Sequence, residues 1–300
     1  VIDCFDIAMD DHAALIDLAK QEGVTLTVVG PEAALATGIV DAFLAEDLTI
    51  FGPTKAATRI ESSKSYANQL MDRVGVPTAK SKCLYSYDAL ADVVRNAPRP
   101  IVLKEDGLKA GKGVRILRTE QDAKAALEAL KPSKSTPIVY EEFLEGYECS
   151  LIVLANGTNF VALPVAQDHK SRDEGGKGPN TGGMGAVSPV PRISAEEIQT
   201  IENEIITPTL KAMQDSSVPF TGFLYAGLMM TKEGPKVIEF NARMGDPESE
   251  VILPLIKNDG AALIKAILQG ETPEVELEDG LCLGVTLASP GYPEAVTAQP

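Results

Sequence analysis

The stretch VIEFNARMGDPESE (237–250) sets Glu239 and Asn241 two residues apart in an apolar strand, with Arg243 two further on. Side chains alternate along a strand, so Glu239 and Asn241 share a face. Two hard oxygen donors side by side suit magnesium, which takes few protein ligands and keeps phosphate and water oxygens in its shell. No His/Cys cluster supports zinc. With a guanidinium beside them, the pair reads as a metal-and-anion site. The anion that accompanies such a metal is a nucleotide triphosphate, and Arg243 faces the group being transferred. Asp246 and Glu248 carry a second reading, because Asp-Pro-Glu is a good helix start.

Three other segments carry polar chemistry. In KEDGLKAGKGVRI (104–116), Lys104 ends the apolar run Ile101-Val102-Leu103, where a buried charge needs a partner. Gly111, Lys112 and Gly113 supply close-approach backbone donors and charge for a phosphate, although the segment is not a Walker A sequence. A solvated hairpin is the alternative reading. In PIVYEEFLEGYECSLIVL (137–154), a strand end at Glu141-Glu142 followed by a linker offers backbone groups to an adenine, and an acid to ribose hydroxyls. The segment QDHKSRDEGGKGPNTGGMGAVSP (167–189) joins His169, Lys170, Arg172 and Lys177 to a glycine-loaded stretch holding Asn180 and Thr181. Such a loop closes backbone donors over a small anionic substrate; a disordered surface loop is the alternative. His169 is given no acid–base role.

The elements that must position these residues fall into two patterns. Helical rhythm over 10–22, a strand over 25–29, a helix over 35–45 and a strand over 48–51 predict a parallel α/β layer. Thr54 is placed as the N-cap of a long helix running to Arg73 and ended by Gly75 and Pro77. From about residue 78 the pattern becomes α+β. Strands are expected over 100–104, 113–118, 136–142, 148–155 and 159–165, with a helix over 119–131. A helix over 194–214, a hairpin of strands 220–231 and 235–241 around Lys232-Glu233-Gly234, and helices over 247–257 and 259–269 follow.

Three hundred residues suffice for two or three domains. The balance of 27 basic against 43 acidic residues gives −16, which argues against a nucleic-acid surface but leaves room for a local phosphate pocket. Cys4, Cys83, Cys149 and Cys282 are far apart and form no C-x-x-C, as expected of reduced cytosolic thiols. No apolar run reaches about 18 residues, so no membrane span is expected and the chain reads as soluble and cytoplasmic. Both ends read as cut, and the chain as a fragment of a longer one.

Taken in order, these segments resemble the glycinamide ribonucleotide synthetases (phosphoribosylamine–glycine ligases), ATP-grasp enzymes of purine synthesis. The likeness runs nearly end to end, through VVGPEAALATGIVDAF, IFGPTKAA, SKSYANQLM, KEDGLKAGKGV, EEFLEGYECS, DHK, GPNTGGMGA and EFNARMGDPE. The implied fold is mixed α/β and α+β. It has an ATP-grasp unit over 62–269 (smaller subdomain about 78–140, larger about 141–269), preceded over 1–61 by the remainder of a parallel, Rossmann-like N-terminal domain. Residues 270–300 would begin a C-terminal domain. The implied reaction is ATP-dependent joining of glycine to 5-phosphoribosylamine through glycyl phosphate.

The resemblance also implies roles. Glu239 and Asn241 would hold magnesium, with manganese as a substitute. Lys104, assisted by Lys64 and with Gly111, Lys112 and Gly113, would meet the nucleotide phosphates. Glu141, Glu142, Phe143 and Leu144 would read adenine, chiefly by backbone, and Glu148 the ribose. Arg243, Lys104 and the Gly182 and Gly183 amides would act at the acyl-phosphate step. His169, Lys170, Asn180, Thr181, Gly182, Gly183, Met184 and Asp246 would hold substrate. The implied partners are glycine, 5-phosphoribosylamine and ATP, with no nucleic acid and no membrane, in a monomer or weak dimer or fused to other purine-pathway domains. Family members begin with a strand and glycine-rich loop expected to hold the phosphoribosylamine phosphate, which lies before this sequence. Glu105, Met244, Ser249-Glu250 and the DHKSR stretch depart from the family pattern, mostly toward more acid, as in a divergent member. A different ATP-grasp carboxylate–amine ligase and a non-catalytic nucleotide-binding remnant are the competing expectations.

Overall fold

The computed structural model describes residues 3–109 and 113–293. Near the N-terminus, β1 (Thr27–Val28) and β2 (Ile50–Phe51) pair in parallel, as the strand–helix alternation requires. Helices Glu32–Thr37 and Ile39–Leu44 meet at Gly38, whose φ of 97° lies in the left-handed region that glycine enters without a Cβ penalty. They bury Leu35, Val40 and Phe43.

The helix expected from Thr54 to Arg73 is two pieces, Arg59–Ser62 and Lys64–Val74. Ser63 breaks it. Its backbone is extended (φ −142°, ψ 103°), and its hydroxyl caps the second piece by accepting from the Tyr66 amide at 3.2 Å. Asp106 fixes the break, accepting from the Ser63 and Ser65 hydroxyls at 3.2 and 2.6 Å. The Thr54 hydroxyl accepts from the Ala57 amide at 3.3 Å, ahead of the first piece and not at its start.

A small antiparallel sheet follows, made of β3 (Ser81–Leu84), β4 (Ile101–Glu105), β5 (Val114–Leu117) and β6 (Ile138–Glu142) in the order β3-β6-β4-β5. Helices Tyr87–Asn96 and Glu120–Ala129 cover one face and bury Leu84, Leu90, Ile101, Leu103 and Leu117. The opposite face carries Val102, Lys104, Val114, Ile116, Val139 and Glu141, by register and alternation.

The larger sheet opens with β7 (Tyr147–Asn156) and β8 (Asn159–Ala162). The glycine-rich segment then forms β9 (Gln167–Asp168), the hairpin β10 (Ser171–Asp173) and β11 (Lys177–Asn180), and β12 (Gly185–Ser188). It is an ordered ladder rather than a loose loop. β13 (Thr221–Thr231) and β14 (Gly234–Asn241) return the chain to the larger sheet, whose order is β14-β13-β7-β8. Finally β15 (Cys282–Val285) adds to β12, giving β15-β12-β9.

The helix expected over 194–214 contains a π-helical turn, Glu202–Ile206, just before Pro208, which has no N–H to continue the ladder. Helices from 195 to 215 pack on one face of the larger sheet, over Leu151, Val153, Leu224 and Leu228. Gly260–Leu268 packs on the other, over Ile152 and Leu154. The helix expected over 247–257 is shorter, Glu248–Ile252, and tightens into a 3₁₀ turn at Leu253–Leu255 around Pro254. No helix among the described residues is long and apolar enough to cross a membrane.

Because Ser63 supplies the cap that splits the helix, Ser63→Ala is expected to lower stability by about 1 kcal/mol. Urea unfolding followed by circular dichroism measures this; an unchanged midpoint contradicts the assignment.

Candidate active site

β14 is the outer strand of its sheet, so one side of its main chain has no strand partner. Other layers take those groups. Val237 N–H donates to Pro77 O, and the Thr78 hydroxyl donates to Val237 O, both at 2.8 Å. Lys104 Nζ donates to Ile238 O at 2.7 Å, and Ala242 N–H donates to Glu61 Oε2 at 2.7 Å. The strand bulges at Ile238: Leu228 faces Val237 and Gly227 faces Glu239, leaving one residue outside the register. Beyond the bulge Glu239 and Asn241 lie on one face, opposite Gly227 and Tyr225. Both are half-buried, and their side-chain oxygens take no hydrogen bond from another described residue. Paired oxygen donors without a protein partner fit magnesium. Among the described residues no group of three or more acids, histidines or cysteines converges as a denser metal site.

Lys104 is buried, and its Nζ lies 2.7 Å from Glu141 Oε2. The other Glu141 oxygen accepts from Asn68 Nδ2 at 3.1 Å. The Glu141 carboxylate thus serves Lys104, and its main chain is in register with Ser81 on one side and Val102 on the other. Glu142 is likewise tied, its carboxylate to Lys80 N–H at 3.0 Å and its amide to Lys80 O. Phe143 and Leu144 lie outside both ladders. Arg118 stacks 4.7 Å from the Phe143 ring, and Val114 and Ile116 stand exposed on β5, three positions that no sequence pattern singles out. Gly111 and Lys112 lie outside the described residues; the Gly113 carbonyl accepts from Glu105 N–H at 2.8 Å.

Lys64 begins the helix after Ser63 and donates from Nζ to Gly107 O at 2.9 Å. Burial lowers its pKa, Lys104 lowers it further, and Glu239 opposes the shift. At the far end of β14, Arg243 Nε donates to Glu32 Oε2 at 3.0 Å and lies 3.8 Å from Glu61 Oε1. Its Nη1 donates to Met244 O at 2.8 Å. Neither Glu32 nor Glu61 was a sequence candidate. Burial pushes the Glu61 carboxyl up to about 7 against the pull of the Ala242 amide and Arg243.

The glycine-rich segment packs on the turn after Arg243. Gly183, at φ 143°, has no room for a Cβ, which would strike the Pro247 ring. Its amide donates to the Thr181 hydroxyl at 3.0 Å, and the Gly182 amide donates to the Tyr292 hydroxyl at 3.2 Å. Both amides assigned to the acyl-phosphate step therefore have acceptors in this arrangement. Met184 N–H donates to His169 O, and Thr181 N–H to Lys170 O, both at 2.8 Å. The His169 side chain is exposed, as are Asn180 and Asp246. Lys170 lies 3.4 Å from Glu148 and 3.8 Å from Asp168. Burial alone would lower its pKa, but Asp168 and Glu148 raise it, so the ammonium stays charged. Glu148, Asp168, His169, Lys170, Arg172 and Asn180 are among the residues lining a cleft of about 420 Å³. Glu248 does not cap the helix it begins. It is buried and accepts from the Tyr225 hydroxyl at 2.8 Å, and burial followed by Asp168 raises its pKa. Pro247 occupies the cap position with no side-chain bond, so the acids there do not act as a helix cap.

The model of the phosphoribosylglycinamide synthetase N domain matches residues 2–61, and that of its ATP-grasp (A) domain matches residues 62–249. The chain belongs to the phosphoribosylglycinamide synthetase family. A phosphoribosylamine–glycine ligase of Halalkalibacterium halodurans is 47% identical over 298 residues, covering 98% of this chain and 70% of that protein. The crystal structure of the Thermotoga maritima phosphoribosylamine–glycine ligase superposes with a TM-score of 0.75 at 36% identity, covering 85% of this chain and 66% of that one. The biotin carboxylase domain of Hydrogenobacter thermophilus 2-oxoglutarate carboxylase, solved with magnesium ADP, shares the fold at a TM-score of 0.67 and 18% identity, over 93% of this chain and 63% of that one. The ATP-grasp fold, mixed α/β and α+β, is thereby established.

Glu61 yields a pH prediction. Its folded-state pKa of about 7 lies above the ordinary 4.5, so the folded chain holds a proton that the unfolded chain releases. The stabilising contribution is full below about pH 4.5 and is lost as pH rises through about 7. In metal-free buffer Glu61→Gln should flatten that decline, gaining up to about 3 kcal/mol on wild type by pH 8 relative to pH 4. Denaturant unfolding across that range measures it; parallel curves for the two proteins contradict the assignment.

Proposed function

We propose that this chain carries out ATP-dependent ligation of glycine to 5-phosphoribosylamine, giving glycinamide ribonucleotide, ADP and phosphate. The observation that supports this best is the convergence on the end of β14 of Glu239, Asn241 and Arg243, with the glycine-rich segment packed on the following turn. The relatives named phosphoribosylamine–glycine ligase support the substrate assignment. In this reading residues 1–61 contribute to the amine substrate site, 62–269 form the grasp unit, and 270–300 begin a further domain.

The nucleotide lies between the open face of the small sheet and β14. Phe143 and Leu144 offer free backbone groups to adenine, with Val114 and Ile116 as apolar surface. Glu148 takes the ribose, and Lys64 and Lys104 compensate the phosphates. Lys104 then exchanges part of its contact with Ile238 O and Glu141 for phosphate oxygen. Glu239 and Asn241 would hold magnesium, which supplies charge neutralisation on the phosphates when bound. A glycine carboxylate oxygen attacks the γ-phosphorus and ADP leaves, giving glycyl phosphate. The phosphoribosylamine nitrogen then attacks the acyl carbon, loses a proton, and phosphate departs with the bridging oxygen. Arg243 stabilises the charge on the transferred group, and Lys170, Thr181 and Asp246 border the glycine site. The chain's contribution is mainly positioning and charge compensation.

Phosphate release from ATP is expected to require glycine and phosphoribosylamine together. Turnover with a different acid–amine pair and none with this one overturns the proposal. Arg243→Ala should lower kcat by about 10²-fold or more while the Kd for ADP changes little. Equal losses in kcat and ADP affinity would instead place Arg243 at the ground-state nucleotide.

A further inference from the structure

Glu61 touches the site without lining it. It sits in the short helix Arg59–Ser62, its side chain is only 6% exposed, and its two partners are both on the segment after β14. One oxygen accepts from the Ala242 amide at 2.7 Å, and the other lies 3.8 Å from Arg243 Nε. Ala242 is the residue between Asn241 and Arg243. The carboxylate therefore grips the main chain between a metal-ligand candidate and the guanidinium that serves the transferred group. Glu32, from the N-terminal parallel layer, holds the same guanidinium at 3.0 Å. Two acids from the N-terminal part of the chain thus converge on one three-residue stretch of the grasp unit, across 181 and 211 residues of sequence.

We propose that Glu61 is a positioning residue that fixes the Asn241–Arg243 main chain, so that the metal edge forms only while the N-terminal layer is seated against β14. The proposal rests on the reading of Glu239 and Asn241 as the metal edge. A fixed Ala242 amide sets the direction of the preceding Asn241 peptide, and a shift of about 1 Å there is enough to break a coordination geometry as strict as that of magnesium. Without an acceptor, the Ala242 amide would be a buried donor left unpaired, and the segment would move to find one.

The test measures ADP binding to the full chain by calorimetry, with and without magnesium, and so does not depend on which acid and amine are joined. In wild type, magnesium raises ADP affinity. Glu61→Ala should reduce that gain at least fivefold while leaving magnesium-free ADP affinity within about twofold. Glu61→Gln, which keeps an acceptor for Ala242, should retain most of the gain. Glu61→Asp keeps the charge but withdraws the acceptor by one methylene, and should lose at least threefold; it decides the matter if the alanine variant does not fold. An undiminished magnesium gain in Glu61→Ala or Glu61→Asp overturns the proposal, as does an equal loss in all three variants. A wild-type chain that binds magnesium ADP but does not join glycine to phosphoribosylamine overturns the proposed function and leaves Glu61 to be judged on these variants. A wild-type chain to which magnesium adds nothing overturns both.

Discussion

The unpaired edge of β14 is the constraint around which this chain is organised. An edge strand presents N–H and C=O groups that must find partners or water, and here three separate parts of the chain supply them. Pro77 and Thr78 hold Val237, Lys104 holds the bulged Ile238 carbonyl, and Glu61 holds the Ala242 amide. The same contacts that satisfy the backbone bring the small sheet, the segment after helix Lys64–Val74 and the N-terminal layer onto one line. The bulge matters because it frees Ile238 O for Lys104 while keeping Glu239 and Asn241 together on the next face.

Charge along that line is alternated rather than pooled. Lys104 is matched by Glu141, Arg243 by Glu32 and Glu61, and Lys170 by Glu148 and Asp168. A chain with a net charge of −16 can therefore hold a polyanion locally, since each of these three cations stands beside an acid that orients it. Incoming phosphate competes with carboxylates for these cations, which favours exchange over accumulation. Buried pairs of this kind contribute little net stability, and their value lies in geometry.

Much of this was legible in the sequence because it is local. The i, i+2 spacing of Glu239 and Asn241, the hairpin around Lys232-Glu233-Gly234, and the glycine loading of 175–185 each need only a few neighbours to be read. The need of Lys104 for a partner was legible too, but the partner was not. Glu141 and Ile238 reach it from two other strands, with Asn68 holding the far oxygen of Glu141, and no local pattern announces that. Glu32 and Glu61 were invisible for the same reason, as ordinary acids in helical stretches whose partners lie near residue 242. Ser63 was missed because the apolar rhythm continues through it, and only Asp106, more than forty residues on, holds the serine in its extended conformation. Asp-Pro-Glu was legible as a helix start, and a helix does begin at Glu248, but the buried Glu248 side chain turns inward to Tyr225 instead of capping it.

If the β14 edge brings a carboxylate against the γ-phosphate, an oxygen of that carboxylate must leave with the phosphate. Turnover with glycine labelled with ¹⁸O in its carboxylate, followed by mass spectrometry of the released phosphate, tests this directly. One labelled oxygen is expected in each phosphate released. Unlabelled phosphate, with turnover intact, would show that no acyl phosphate forms and would contradict it.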